Sequence, residues 1–198
     1  MKKISIKTGR VVQKEKTKST ILKVAKELLR KEKSITLDDV AAKANISRAT
    51  IYRYYSNVDL LTMEASLEIS HKSPDDFYEE VKEKNFEDRI LYIQEQYNTI
   101  AQQNETVFRR YLSSVLAESI TSKEKLRGAR RVTSLTKALR SFENEVDGDV
   151  LTKLTHSASV LMGIDALIVC KDVCNLDNQE ANETLQWTLK MILKGIKS

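Results

Sequence analysis

Proline occurs once in this chain of 198 residues, as Pro74, and glycine only five times. Turn-dense β architectures draw on both residues, so their scarcity argues against a sandwich or barrel. No alternating apolar–polar run stands out, and an all-α fold is the expectation. Two cysteines, Cys170 and Cys174, do not make a disulfide framework. They lie one helical turn apart, a spacing open to a thiol switch. Only His71 and His156 exist to complete a zinc site, and neither is near in sequence. No metal or cofactor is expected. No apolar stretch reaches the roughly 20 residues of a membrane span, and the N-terminal MKKISIKTGR lacks a signal peptide's apolar centre. The expected location is the cytoplasm, away from membranes. Catalytic signatures are also missing: there is no Gly-rich phosphate loop, no G-x-S-x-G elbow and no H-E-x-x-H. An enzyme is not expected, although scattered residues can assemble a site without a motif.

What the chain does have is charge, unevenly placed. Residues 1–55 hold 15 Lys/Arg against 5 Asp/Glu, a net of +10. Residues 56–198 hold 18 against 23, a net of −5, and the two sum to the overall +5. A basic excess confined to one segment is an electrostatic footprint for nucleic acid.

Within that segment, Thr36–Leu61 reads as two short helices joined by a tight turn, with another helix beginning after them. Thr36 and Asp39 form a capping-box-like pair with a shorter acid. Leu37, Val40, Ala41 and Ala44 share one helical face. Asn45 falls where that helix must stop, and asparagine tolerates the left-handed conformation needed there. Ser47 is a good N-cap for the second helix. On that helix Ile51 and Tyr55 pack inward, while Ala49, Thr50 and Arg53 point out. Tyr52 and Tyr54 lie on the flanks and Arg48 at the N-terminal edge. Arginines, a threonine and tyrosine hydroxyls suit phosphate oxygens and base edges. The pattern is a helix-turn-helix, whose second helix enters a major groove.

SITLDDVAAKANISRATIYRYYSNVDLL, residues 34–61, closely resembles the DNA-binding segment of the TetR family of bacterial transcription regulators. The matching features are Thr36, the apolar set, Ile46-Ser47, Thr50-Ile51-Tyr52, Tyr55 and the Asn57-x-Asp59-x-Leu61 approach to a fourth helix. By this resemblance Arg48, Ala49, Thr50, Tyr52 and Tyr54 occupy DNA-facing positions. Two departures stand out. The family usually has glycine at Asn45, and a phosphate-contacting lysine at Val58, so that contact is not carried over. The candidate DNA-binding set is Thr36, Arg48, Ala49, Thr50, Tyr52, Arg53 and Tyr54, with double-stranded operator DNA as the partner.

The remaining chain reads as helices that need one another. Residues 1–16 carry Lys2, Lys3, Lys7, Arg10, Lys14 and Lys16 with little apolar periodicity. Either a disordered tail or an arm along phosphates fits them. Ile21, Val24, Ala25, Leu28 and Leu29 make the stripe of a first amphipathic helix. A fourth helix is expected over residues 57–72, broken by Ser73-Pro74, with a connecting turn or irregular helix over 75–84. Further stripes run through Phe86–Ile100, Val107–Leu116 and Val132–Phe142, implying a bundle. Val160–Cys170 is apolar almost all round and reads as one helix buried on every side. The division expected is 1–56 for DNA binding and 57–198 for a larger helical domain that binds an effector and dimerises.

Dimerisation is implied by apolar surface beyond one bundle's needs, and TetR-like proteins pair through their last two long helices. The candidate interface is Leu161, Ile168, Leu185, Trp187, Leu189 and Ile192. Candidate effector contacts are Tyr97, Tyr111, His156 and Asp165, polar groups in an otherwise apolar lining. Each has an ordinary alternative, a partly buried group satisfied by water or by the core. Lys123, Lys125, Arg127, Arg130 and Arg131 read as a solvated face or a docking patch for an acidic partner. With the arginines placed there, an anionic ligand lacks counter-charges. The expected effector is a neutral, lipophilic or cationic small molecule, with Asp165 the anion for a cationic one. By resemblance the protein is a repressor released from DNA by that effector. The alternative is a DNA-bound adaptor whose larger domain docks a protein.

Overall fold

The computed structural model describes residues 6–31, 35–69, 72–121 and 127–196, and all regular structure among them is helical. Among these residues no single helix is long and apolar enough to cross a membrane. The contacts divide the chain into two units, residues 1–70 with 110–117, and residues 71–109 with 118–198.

The first unit contains α1 (Ile6–Leu29), α2 (Leu37–Lys43), α3 (Arg48–Tyr54) and α4 (Val58–Ile69). Its core is the stripe expected of α1, with Ile21, Ala25 and Leu28 buried alongside Val40, Ile51 and Leu61. Two features differ from expectation. Helix α1 begins at Ile6, so residues 6–16 are helical instead of a disordered tail; residues 1–5 lie outside the described residues. Helix α4 belongs to this unit and not to the larger one. A polar knot ties it in: Glu64 accepts the Tyr55 hydroxyl at 2.9 Å and pairs with Lys18 of α1 at 2.9 Å.

The second unit contains α5 (Pro74–Val81), α6 (Phe86–Gln103), the start of α7 (Glu105–Ser119) and α8 (Arg130–Leu139). A single 3-10 turn (Arg140–Phe142) follows, then α9 (Gly148–Val160), α10 (Ile164–Ile168), a π turn (Val169–Val173) and α11 (Asn178–Ile196). Phe77, Ile90, Ile93, Leu135, Leu154 and Leu189 form the centre of its core. The stripes on α6 and α8 are therefore core, as their spacing predicts. Arg89 is buried among them and closes two helix ends. It donates to the carbonyls of Lys82, Lys84 and Ala138 while its guanidinium lies 4.8 Å from the Phe142 ring centre.

Helix α5 corrects the irregular reading of 75–84. Ser73 and Asp76 form a full capping box with Pro74 in the first turn, so Ser73-Pro74 starts a helix as well as ending a segment. The apolar run 160–170 is also corrected. It breaks at Leu161–Gly163, with Gly163 at φ 77°, and the segments either side are bent by 50°.

Candidate functional site

The α2–α3 pair is built by local chemistry at each end. Thr36 accepts the Asp39 N–H at 3.2 Å, and an Asp39 oxygen accepts the Thr36 N–H at 2.9 Å. Donation to its carboxylate by the Thr36 hydroxyl, and after it by the Thr36 N–H, holds the Asp39 pKa below its ordinary value. Helix α2 stops in a Schellman motif: Ile46 N–H reaches the Ala41 carbonyl at 3.0 Å and Asn45 N–H the Ala42 carbonyl at 3.2 Å. That motif needs a left-handed residue, and Asn45 supplies it at φ 53°. Ser47 then caps α3, accepting the Thr50 N–H at 3.1 Å. Ile51 and Tyr55 are buried, which fixes the helix by its inner side.

The outer side of α3 is basic and aromatic. Arg48, Ala49, Tyr52 and Arg53 are exposed, and Tyr54 is half-buried. The Arg48 guanidinium lies 5.5 Å from the Tyr52 ring centre, and that of Arg53 lies 5.7 Å from Tyr54. At such distances each ring face attracts its guanidinium. Two of the expected DNA-facing groups also make local hydrogen bonds. The Thr36 hydroxyl donates to Asp39 at 2.6 Å, so its work is the cap. Thr50 is half-buried, its hydroxyl 2.8 Å from that of Ser47.

Helix α3 itself carries no acid, and α2 supplies one. Asp38 of α2 lies 3.3 Å from Arg48. The Tyr52 hydroxyl, and after it Asp38, raise the Arg48 pKa further. Nothing in the spacing of positions 38 and 48 signals this pair; only the tight turn brings them together.

Of the four polar residues expected as effector contacts, Tyr97, His156 and Asp165 lie in the second unit. The Tyr97 hydroxyl is buried 3.1 Å from Ser134 and its ring stacks on Phe77, burial pushing its pKa up. Tyr111 groups with the first unit. His156 is exposed on the rim of a cleft of about 370 Å³ that α8 and α9 line with Val132, Leu139, Leu151 and Thr155. Asp165 is held by Arg127, at 3.0 and 2.7 Å, and by Arg131 at 2.8 Å. Burial alone would raise its pKa, but the hydrogen bond from Arg127 and the charge of Arg131 bring it below the ordinary value. The expected wet arginine face is thus partly turned onto Asp165, whose carboxylate is already paired. Lys123 and Lys125 lie outside the described residues.

Among the proposed interface residues, Leu185 and Leu189 are buried in the chain's own core and have no surface to offer a second copy. Leu161, Ile168 and Ile192 are half-buried, whereas Trp187 is 62% exposed. Cys170 is buried, which pushes its thiol up, and Cys174 is exposed. Among the described residues no group of three or more His, Cys, Asp or Glu could hold a metal ion. No family model, curated protein or solved structure matches this chain.

Proposed function

We propose that the chain is a DNA-binding transcription regulator of the TetR type, acting as a homodimeric repressor whose larger unit responds to a small molecule. One observation carries the DNA-binding reading. A capped helix α3, anchored inward by Ile51 and Tyr55, turns Arg48, Ala49, Tyr52 and Arg53 outward. Its segment also holds the whole basic excess of the chain. Exposed guanidiniums and a phenol on a helix anchored by its opposite face suit a major groove. The α8–α9 cleft, within the usual size range of ligand sites, supports an effector, and its apolar floor favours a neutral, lipophilic one.

A second reading keeps the DNA contact but gives the larger unit a protein to dock. It is favoured by the exposure of Val160, Val173 and Trp187. Purified protein incubated with fragmented genomic DNA tests the shared step by recovering a short, two-fold symmetric sequence. Recovery of no preferred sequence sinks both readings. Release of that sequence by an uncharged lipophilic compound then separates them.

A further inference from the structure

The break between α9 and α10 is closed by side chains instead of backbone. Gln94 of α6 donates to the Leu161 carbonyl at 2.8 Å and to the Leu185 carbonyl at 3.0 Å. Arg131 of α8 donates to the carbonyls of Ser159 and Met162, and Asp165 holds its guanidinium. The Asn98 amide oxygen accepts the Gly163 N–H at 2.8 Å. No side chain caps the start of α10.

These groups are the ones an unbroken helix would pair with one another. An α-helix joins each N–H to the carbonyl four residues back. The Gly163 N–H would take the Ser159 carbonyl, and the N–H groups of Asp165 and Ala166 would take those of Leu161 and Met162. Side chains and backbone thus compete for the same set of partners. The bent form also carries its own penalties. Gly163 sits at φ 77° and ψ −162°, a region almost closed to other residues. The Gln94 amide oxygen and the Asn98 amide nitrogen are buried without hydrogen-bond partners. Released from the break, those two groups, one turn apart on α6, are a donor and an acceptor for each other.

We propose that Leu161–Gly163 is a two-state hinge, bent when Gln94, Asn98 and Arg131 hold it and straight when α9 and α10 join into one helix. The hinge is independent of whether α3 binds DNA. Any ligand or partner that binds one form better shifts the population towards it, redirecting Ile164–Val173 against the rest of the unit.

The test places spin labels on Lys153→Cys and on the native Cys174, both exposed positions, in the full chain carrying Cys170→Ala. A straight helix separates these positions by about 30 Å, at 1.5 Å per residue, and the 50° bend shortens that. The parent protein shows mainly the shorter distance. Gly163→Ala removes the conformation the bend requires without a clash, since its Cβ would meet Arg131 only at 3.5 Å. It raises the ratio of long to short distances about tenfold or more. Asn98→Leu, which leaves the Gly163 N–H unpaired only in the bent form, moves the distribution the same way. If Gly163→Ala does not fold, Asn98→Leu decides. An unchanged short distance in every variant that folds overturns the hinge. So does unfolding of both, since a two-state joint has a second form to occupy.

Discussion

Asp38 and Arg48, ten positions apart and on different helices, meet across the turn at 3.3 Å, so one arginine of the outward face is already partnered. Both side chains are largely exposed, and such a pair contributes little to stability. Its effect falls on binding, because Arg48 must exchange a carboxylate for a phosphate or a base. Asp38→Asn is expected to tighten DNA binding several-fold. It should lower the melting temperature slightly, since Asp38 lies in the first turn of α2 where acids are favourable. Arg48→Ala should weaken binding and reduce the slope of log K against log salt by about 0.9 if it meets a phosphate. Fluorescence anisotropy across a salt series measures both. An Arg48→Ala variant with unchanged affinity and slope would remove Arg48 from the interface.

Tyr52 and Ile51 are neighbours in sequence with opposite surroundings, 45% and 0% exposed. Tyr52→Phe should leave the melting transition in place while weakening binding to the selected DNA. Ile51→Ala should cost about 2–5 kcal/mol of stability and lose binding as a consequence. Thr50→Ala also loses the 2.8 Å contact with Ser47, so a small stability loss should accompany its binding defect. Thermal melts run beside binding curves separate the two classes. Parallel loss of folding and binding in Tyr52→Phe would place that ring in the core.

The turn itself was the most legible part of the sequence. Thr36 with Asp39, Asn45 and Ser47 act on backbone groups within four residues of themselves, so residue type and spacing were enough. The same local logic applies to the capping box of Ser73 and Asp76, where the proline between them reads as a breaker by residue type alone but starts the helix. Gly163 was not legible. An apolar run containing one glycine passes for a helix, and the groups that hold it broken lie on α6 and α8, far away in sequence. The pairing of Asp165 was hidden for a related reason. Asp165 looked available in an apolar run, but whether an acid is free depends on which cations the fold brings to it.

Asn45 offers a clean backbone test. At φ 53° the position suits glycine, so Asn45→Gly should be neutral or slightly stabilising. Asn45→Val, a β-branched residue forced into the left-handed region, should cost more than about 1 kcal/mol. Denaturant midpoints for the three proteins give the order Gly, Asn, Val. A valine variant as stable as the parent would mean that the turn has another conformation available.

Asp165 sets an acid limit. Its pKa in the folded chain lies below the ordinary 3.8, because Arg127 and Arg131 outweigh the effect of burial. A depressed carboxyl contributes stability that is fully present well above pH 3.8 and is lost as pH falls from there through the folded value. Asp165→Asn should therefore destabilise at neutral pH and flatten this part of the acid profile. Unfolding free energies measured between neutrality and strong acid check it. If the parent and Asp165→Asn lose stability in parallel below pH 3.8, the arginine clamp is not what holds the carboxyl ionised.

The dimer prediction now turns on two residues of the same helix. Leu189 is fully buried in the core, whereas Trp187 is 62% exposed. A large aromatic left in water is a common anchor of an interface. Met191, one turn further along α11, is also exposed and extends the same strip. Trp187→Glu should therefore yield a folded monomer, because it removes an anchor and leaves the protomer core untouched. Leu189→Glu should unfold the chain instead, since an unpaired charge buried there costs several kcal/mol, comparable with a domain's whole stability. Sedimentation gives the mass of each variant, and circular dichroism gives its helix content. Loss of the dimer should weaken binding to a two-fold symmetric site far more than to a single half-site. A Trp187→Glu protein that sediments as the parent does would move the interface away from this face of α11.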